Sequence, residues 1–255
     1  MTDPRATSDG TEAIAARLRF VLVRASHPGN IGAAARAIRT MGYSRLGLVA
    51  PHAFPHAEAS ALAAGADDVL ANARITKDFP SAIADAELVF GATARRRDVP
   101  LEELDPRVAA ARALAAMREG IDVAFVFGNE RTGLENEELQ RCHAAIMIPS
   151  DPAFASLNLA QAVQVCAYEL RMAELAGANP LPPQRTDPPA SSGQLESFFD
   201  HLERTLDAID FHKGRSPVTI MQRLRRFFLR GMPDQRELRV LHGILSDAER
   251  AAGKK

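Results

Sequence analysis

From about Arg17 to Ala176, short apolar runs alternate with stretches of helical periodicity. The runs Arg19–Ala25, Leu46–Ala50, Leu88–Thr93, Val123–Gly128 and Ala145–Pro149 are mostly near-continuous rather than alternating. That is the pattern of parallel strands covered on both faces, and the helical stretches between them predict an α/β architecture around a parallel sheet. One helix opens in the segment His27-Pro28-Gly29-Asn30-Ile31-Gly32-Ala33-Ala34-Ala35-Arg36, with an apolar face of Ile31, Ala34, Ala35, Ile38 and Met41, and Gly42 ends it. Ser156 is placed to cap another, running to about Glu174, which is apolar almost all round between Leu157 and Ala167 and must be covered by more than one surface.

The pattern changes at Ala178–Gly193, where Pro180, Pro182, Pro183, Pro188 and Pro189 exclude a helix interior and predict a semi-rigid linker. Three amphipathic helices follow. The first carries Leu195, Phe198, Phe199, Leu202, Leu206 and Ile209 on one face. The second starts at Ser216-Pro217, a cap followed by a first-turn proline, and shows Ile220, Met221, Leu224, Phe227 and Phe228. The third shows Leu238, Leu241, Ile244, Leu245 and Ala248. The expected organisation is a disordered leader over 1–16, an α/β domain over 17–177, the linker over 178–193 and a helical extension over 194–255. An extension of about 60 residues is marginal alone and is expected to dock on another surface.

Composition narrows the function classes. The 255 residues are 46% hydrophobic and 25% charged, with 31 Lys and Arg against 32 Asp and Glu, so the molecule as a whole is no general polyanion binder. Cys142 and Cys166, the two cysteines, permit neither a disulfide framework nor a four-cysteine zinc site within one chain, and pack as small hydrophobes. His52 and His56 have the i, i+4 spacing of a helical metal pair, but Pro51 and Pro55 predict a loop there, and no metal is expected. No secretory signal or membrane span is read, so a cytoplasmic protein is expected.

Three segments carry chemistry. The first is the His27–Arg36 turn, a strand–Gly turn–helix arrangement able to bind an anion but lacking both the G-x-G-x-x-G and the Walker spacings. Arg36 stands about 140° around its helix from Ile31, away from the apolar stripe. The second is Phe127-Gly128-Asn129-Glu130-Arg131-Thr132-Gly133-Leu134, at the carboxyl end of a predicted parallel strand, where ligands bind in open sheets. The third is Ile148-Pro149 followed by Ser156-Leu157-Asn158-Leu159-Ala160-Gln161-Ala162-Val163. Taken singly, each has a structural alternative: a tight turn with a surface arginine, a salt-bridged loop, and a polar network around Asn158.

In order and together, the three segments resemble the motifs of the SpoU branch of the SPOUT RNA methyltransferases, and all three match: Asn-x-Gly-x-x-x-Arg, Phe-Gly-x-Glu-x-x-Gly-Leu, and Ser-Leu-Asn before a small, apolar helix. The resemblance covers about Arg17–Glu174. Its finer texture, in Gly65-Ala66-Asp67-Asp68-Val69, Asn72-Ala73, Gly91-Ala92-Thr93-Ala94-Arg95 and the helical extension, is most similar to the members that methylate the ribose 2′-hydroxyl of nucleotide 32 in the tRNA anticodon loop. The resemblance implies a parallel sheet with a C-terminal trefoil knot, a homodimer, and S-adenosylmethionine bent into the knot. It implies cofactor contacts at Ala92, Thr93, Ala94, Gly128, Ile148, Ser156, Leu157 and Asn158; Ala92-Thr93-Ala94 replaces the family's common Thr-Ser-Ala. Arg36, Asn30 and Glu130 are the implied catalytic residues. A guanidinium is a poor base at neutral pH, so Arg36 is expected to anchor a phosphate and stabilise a developing alkoxide. The first-motif helix lies near the dimer axis in the family, which implies that Arg36 serves the partner's cofactor. Asn30 orients the substrate or Arg36, and Glu130 braces the loop or the cofactor side.

For RNA contact the sequence offers Arg95, Arg96 and Arg97 beside the cofactor loop. It also offers Lys213, Arg215, Arg223, Arg226 and Arg230 in Phe211–Arg230, a stretch without an acidic residue. Arg223, Arg226 and Arg230 share one helical face, suited to a salt-dependent hold on phosphates. The rival readings are methylation of ribosomal RNA by the same superfamily and an RNA-binding protein with a dead methyltransferase domain.

Overall fold

The computed structural model describes residues 13–95, 99–176 and 187–253. Residues 1–12 of the expected leader, Arg96 and Arg97, residue 177 and residues 178–186 of the expected linker lie outside the described residues. The chain divides into two compact units, 1–184 and 185–255.

The first unit is built on seven strands. In chain order the elements are β1 (Leu18–Val23), α1 (Pro28–Thr40), β2 (Arg45–Val49), α2 (Ala57–Ala63), α3 (Asp67–Ala71), β3 (Arg74–Thr76), α4 (Phe79–Ile83), β4 (Leu88–Ala92), β5 (Glu102–Leu104), α5 (Pro106–Arg118), β6 (Val123–Phe127), α6 (Asn136–Leu139), β7 (Ala144–Ile146) and α7 (Leu159–Leu175). The strand order is β3-β2-β1-β6-β4-β7-β5, and every pairing is parallel. β7 therefore enters between β4 and β5, both of which precede it in sequence.

The near-continuous apolar runs form the buried middle of this sheet. β1 and β6 are buried along their whole length, and Phe20 lies among Tyr43, Phe125 and Phe127 with ring centroids 5.8, 6.1 and 6.4 Å away. Arg19 is the charged exception inside β1. Its guanidinium fork reaches both Asp85 oxygens at 2.7 Å and the Ala82 carbonyl at 2.9 Å, and the bonds from Arg19 hold the Asp85 carboxyl at about 2. Two strands lack an apolar signature altogether: β3 and β5 are three-residue strands at opposite edges, mostly exposed. β7 also stops earlier than its apolar run suggests, at Ile146 rather than Pro149.

Helices cover the sheet as the sequence requires. Pro28 opens α1, and Gly42 follows its end in the left-handed region at φ +92°. α1 crosses α2 so closely that a Cβ on Gly32 would stand 2.0 Å from the Ala59 carbonyl oxygen. α7 packs against both α1 and α5, which is why it is apolar on nearly all sides. Its cap is not Ser156. Asn158 caps it instead, accepting from the Ala160 N–H at 2.9 Å. His52 lies outside any helix, while His56 caps α2 by accepting the Glu58 N–H at 3.2 Å.

The second unit holds α8 (Ser192–Ala208), α9 (Pro217–Gly231) and α10 (Gln235–Ala252) around Leu195, Phe198, Phe199, Leu202, Leu206, Leu229 and Leu238. Capping boxes at Ser191/Gln194 and Asp234/Glu237 start α8 and α10, and Ser216 caps α9. Among the described residues no helix is long and apolar enough to cross a membrane, and no cluster of three His, Cys, Asp or Glu side chains could hold a metal.

Candidate active site

Beyond the carboxyl ends of β4, β6 and β7 lies a cleft of about 400 Å³, within the size range of small-molecule sites. Seven of the eight residues singled out for cofactor contact line it: Ala92, Thr93, Ala94, Gly128, Ile148, Ser156 and Leu157. Glu130, Arg131 and Arg95 border it as well. Asn158, Asn30 and Arg36 are not in its lining.

The loop after β6 owes its shape to glycine. Gly133 has φ +70°, its N–H donates to the Asn129 carbonyl at 2.8 Å, and the loop folds back over its own start. A Cβ on Gly128 would lie 2.1 Å from both Gly133 C and Leu134 N, so only glycine fits there. The floor is apolar, from Ile146, Ile148, Leu157 and Leu159, and small side chains at Ala92, Ala94, Ala155 and Ala162 open space beside backbone groups. Such a lining suits a flat, partly apolar nucleoside read by main-chain donors and acceptors.

Asn158 and Asn30 stand behind the cleft and tie its motifs together. Glu130 accepts from the backbone N–H of Ser26 at 2.8 Å and of His27 at 3.3 Å, and from Asn30 Nδ2 at 2.8 Å. Asn30 Oδ1 in turn accepts from Asn158 Nδ2 at 2.9 Å. Burial opposes the charge on Glu130, but the Asn30 amide and the Ser26 and His27 N–H groups outweigh it and hold the carboxyl below its usual range. The structural alternative for Asn158, a polar network, is thus realised, and it runs through all three motif segments.

Arg36 is exposed on α1, and among the described residues no hydrogen bond or ion pair holds its guanidinium. Arg95 is also exposed, and its carbonyl accepts from Thr93 Oγ1 at 2.8 Å. In the helical unit Lys213, Arg223 and Arg230 are exposed, and Arg226 is half-buried. Arg215 folds back on its own loop, over the Phe211 ring at 4.9 Å and onto the Phe211 and His212 carbonyls. Both cysteines are buried, and burial pushes the Cys166 thiol up to about 12.

Sequence reasoning passed over Arg24, Asn129 and Glu138. Arg24, at φ +51° just past β1, pairs with the buried Glu138 and with Glu135 at 3.1 Å. Its carbonyl accepts from Asn129 Nδ2 at 2.7 Å, and Asn129 also reaches Ser26 Oγ at 2.7 Å while its Oδ1 receives the Arg131 N–H at 2.9 Å. Asn129 thereby fastens the second motif to the turn that begins the first. Its one sequence signal is the preference of Asn for turns that bond their own backbone; Arg24 and Glu138 have none.

Comparison with known proteins agrees with this geometry. Residues 17–168 match the SpoU rRNA Methylase family, and residues 193–255 match the family described as tRNA methyltransferase TrmJ, C-terminal domain. The chain is 46% identical over 235 residues to the tRNA (cytidine/uridine-2′-O-)-methyltransferase TrmJ of Klebsiella pneumoniae, covering 91% of this chain and 96% of that protein. It is 45% identical over 244 residues to the tRNA (cytidine/uridine/adenosine-2′-O-)-methyltransferase TrmJ of Pseudomonas aeruginosa, covering 92% and 95%. Among solved structures, TrmJ from Z. mobilis ZM4 superimposes with a TM-score of 0.78 at 34% identity, over 91% of this chain and 98% of that one. A probable methylase family protein from Haemophilus influenzae gives 0.60 at 40% identity, over 92% and 97%. With both units matched and relatives of this identity spanning nearly the whole chain, the protein belongs to the TrmJ branch of the SpoU methylase family.

Proposed function

We propose that the protein is a cytoplasmic, homodimeric tRNA ribose 2′-O-methyltransferase that modifies cytidine or uridine at nucleotide 32 of the anticodon loop. The observation that carries this reading is the hydrogen-bonded run Asn158–Asn30–Glu130, which gathers three distant motifs behind one cleft at the carboxyl ends of parallel strands. S-adenosylmethionine is the methyl donor of the family, and bound in this cleft it supplies an activated methyl group on a sulfonium leaving group. Gly128, Ile148, Ser156 and Leu157 would hold it together with Ala92–Ala94. The trefoil threading of the segment after β6 belongs to the same reading, supported by the entry of β7 between two earlier strands.

The chain's own contribution is positioning and charge. The apolar floor excludes water from the transfer, and the fixed loop spares reorganisation when the substrate arrives. Arg36 holds the phosphate next to the target ribose and stabilises the oxygen as it loses its proton to phosphate or water. Its absence from the lining of its own cleft supports service to the cleft of a second protomer. Asn30, oriented by Glu130, fixes the start of the helix that carries Arg36.

Incubating tRNA and, separately, ribosomal RNA with the protein and methyl-labelled cofactor, then mapping ribose methylation, tests the reading. Label at nucleotide 32 is the expected result. Label in ribosomal RNA alone would assign the ribosomal alternative, and a protein that binds no cofactor by calorimetry would be the dead RNA-binding one.

A further inference from the structure

The helical unit sorts its arginines by face. α9 carries Arg223, Arg225, Arg226 and Arg230 and no acidic residue. Arg225 turns inward, pairing bidentately with Glu196 and lying over the Phe199 ring at 4.2 Å. Arg223 and Arg230 are exposed and make no hydrogen bond or ion pair among the described residues. At 100° per residue they fall within about 60° of each other and of Phe227.

Phe227 is the odd member of that strip. A phenylalanine on a helix face belongs in the core, yet this one is 61% exposed. Phe228 packs nearly perpendicular to it, ring centroids 5.4 Å apart at 80°, and so holds its orientation. Beside it a groove of about 860 Å³ runs between α9 and α10, floored by Pro233, Val240 and Leu241. The acids on its rim, Asp234 and Glu237, are engaged with each other's backbone N–H groups in the α10 capping box, at 2.7 and 2.8 Å.

We propose that this groove is a nucleobase-stacking subsite for an unpaired nucleotide of the RNA substrate. Phe227 supplies the stacking face, and Arg223 and Arg230 take the flanking phosphates. The inference rests on the tRNA reading above and deepens it. A charged face alone would grip any phosphate backbone, paired or not. An exposed ring set between guanidiniums adds a preference for bases whose faces are open, as they are in loops and not in duplexes. A second copy of the chain is the poorer occupant, because an isologous contact would set these arginines against their own equivalents.

The chain contains no tryptophan, so Phe227→Trp in the full-length protein creates a single reporter at the site. Its emission is expected to be quenched saturably by a single-stranded oligoribonucleotide, weakly by a duplex of the same length, and not by inorganic polyphosphate. Phe227→Leu is expected to bind the single strand about tenfold more weakly, the scale of one lost base stack, with duplex binding unchanged. Equal quenching by polyphosphate, unchanged single-strand affinity in Phe227→Leu, or emission that follows protein concentration alone would overturn the subsite. A wild-type protein that methylates no tRNA would overturn the underlying reading; normal methylation with a silent Phe227→Leu would overturn the subsite only.

Discussion

Asn158 donates its Nδ2 to Asn30 Oδ1 at 2.9 Å across 128 positions of sequence. The direction of that bond is dictated elsewhere. An ionised carboxylate can only accept, so Glu130 obliges Asn30 to turn its Nδ2 inward, which leaves Asn30 Oδ1 for Asn158 and Asn158 Oδ1 for the Ala160 N–H. One charge thus sets the polarity of every member of the run.

Asn158→Asp separates the two duties of that side chain. The acceptor that caps α7 survives, while the donor to Asn30 is replaced by an oxygen facing an oxygen. Thermal unfolding should show a loss of about 1 kcal/mol, the net worth of one hydrogen bond. Methyl transfer to tRNA should fall at least about tenfold, because the first and third motifs lose their tie. Asn158→Ala, which loses the cap too, should unfold earlier still.

Glu130 makes stability depend on acid. Its carboxyl is held below the ordinary 4.5 in the folded chain, so its contribution is complete above that value and disappears as pH falls through the lower, folded one. Comparing thermal midpoints of the wild type and Glu130→Gln from pH 7 downward checks the sign. The gap between them should be widest near neutrality and close as pH falls through the depressed, folded-state value. A gap that widens in acid would contradict the bonding described at Ser26, His27 and Asn30.

Gly128→Ala closes the loop from within. The added methyl meets Gly133 C and Leu134 N at 2.1 Å, far inside contact distance. Relief requires the loop to shift, at about 1–3 kcal/mol for an overpacked site. Calorimetry should find cofactor affinity reduced at least about tenfold, with the far-UV circular dichroism of the wild type.

Arg36→Lys keeps the charge and loses the planar fork. Since the side chain is exposed, folding and cofactor affinity should match the wild type while turnover falls at least about tenfold. Mixing Arg36→Ala with Gly128→Ala, at a cofactor concentration too low to fill the Gly128→Ala cleft, then tests for a shared site. If Arg36 serves the neighbouring cleft, half of the pairs in an equal mixture are mixed and each carries one intact site, restoring about a quarter of full activity. No recovery on mixing would place Arg36 at its own cleft.

What the sequence disclosed divides along physical lines. β1 and β6 announced themselves because strands buried on both faces must be apolar at every position. β3 and β5 did not, because an edge strand of three residues buries almost nothing and Arg74 or Glu102 serves as well as valine. Ser156 and Asn158 are both good cap residues two positions apart, and pattern alone does not choose between them. The choice was made by Asn30, whose oxygen needed a donor. The motif residues were visible as a set, whereas Arg24, Glu138 and Asn129 act through bonds that join segments remote in sequence and leave no periodic trace.

The place of β7 in the sheet sets an order of assembly. Among the described strands β5 pairs with β7 alone, Glu102 opposite Ala144 and Leu104 opposite Ile146, so it has no ladder to join until some forty later residues have been synthesised. A nascent chain emerging from the ribosome can therefore pair β1 with β2 early, but the rim that lines the cleft closes last. The stretch from Ile146 to Ala162 that completes the cleft lining is therefore among the last parts of the first unit to be made.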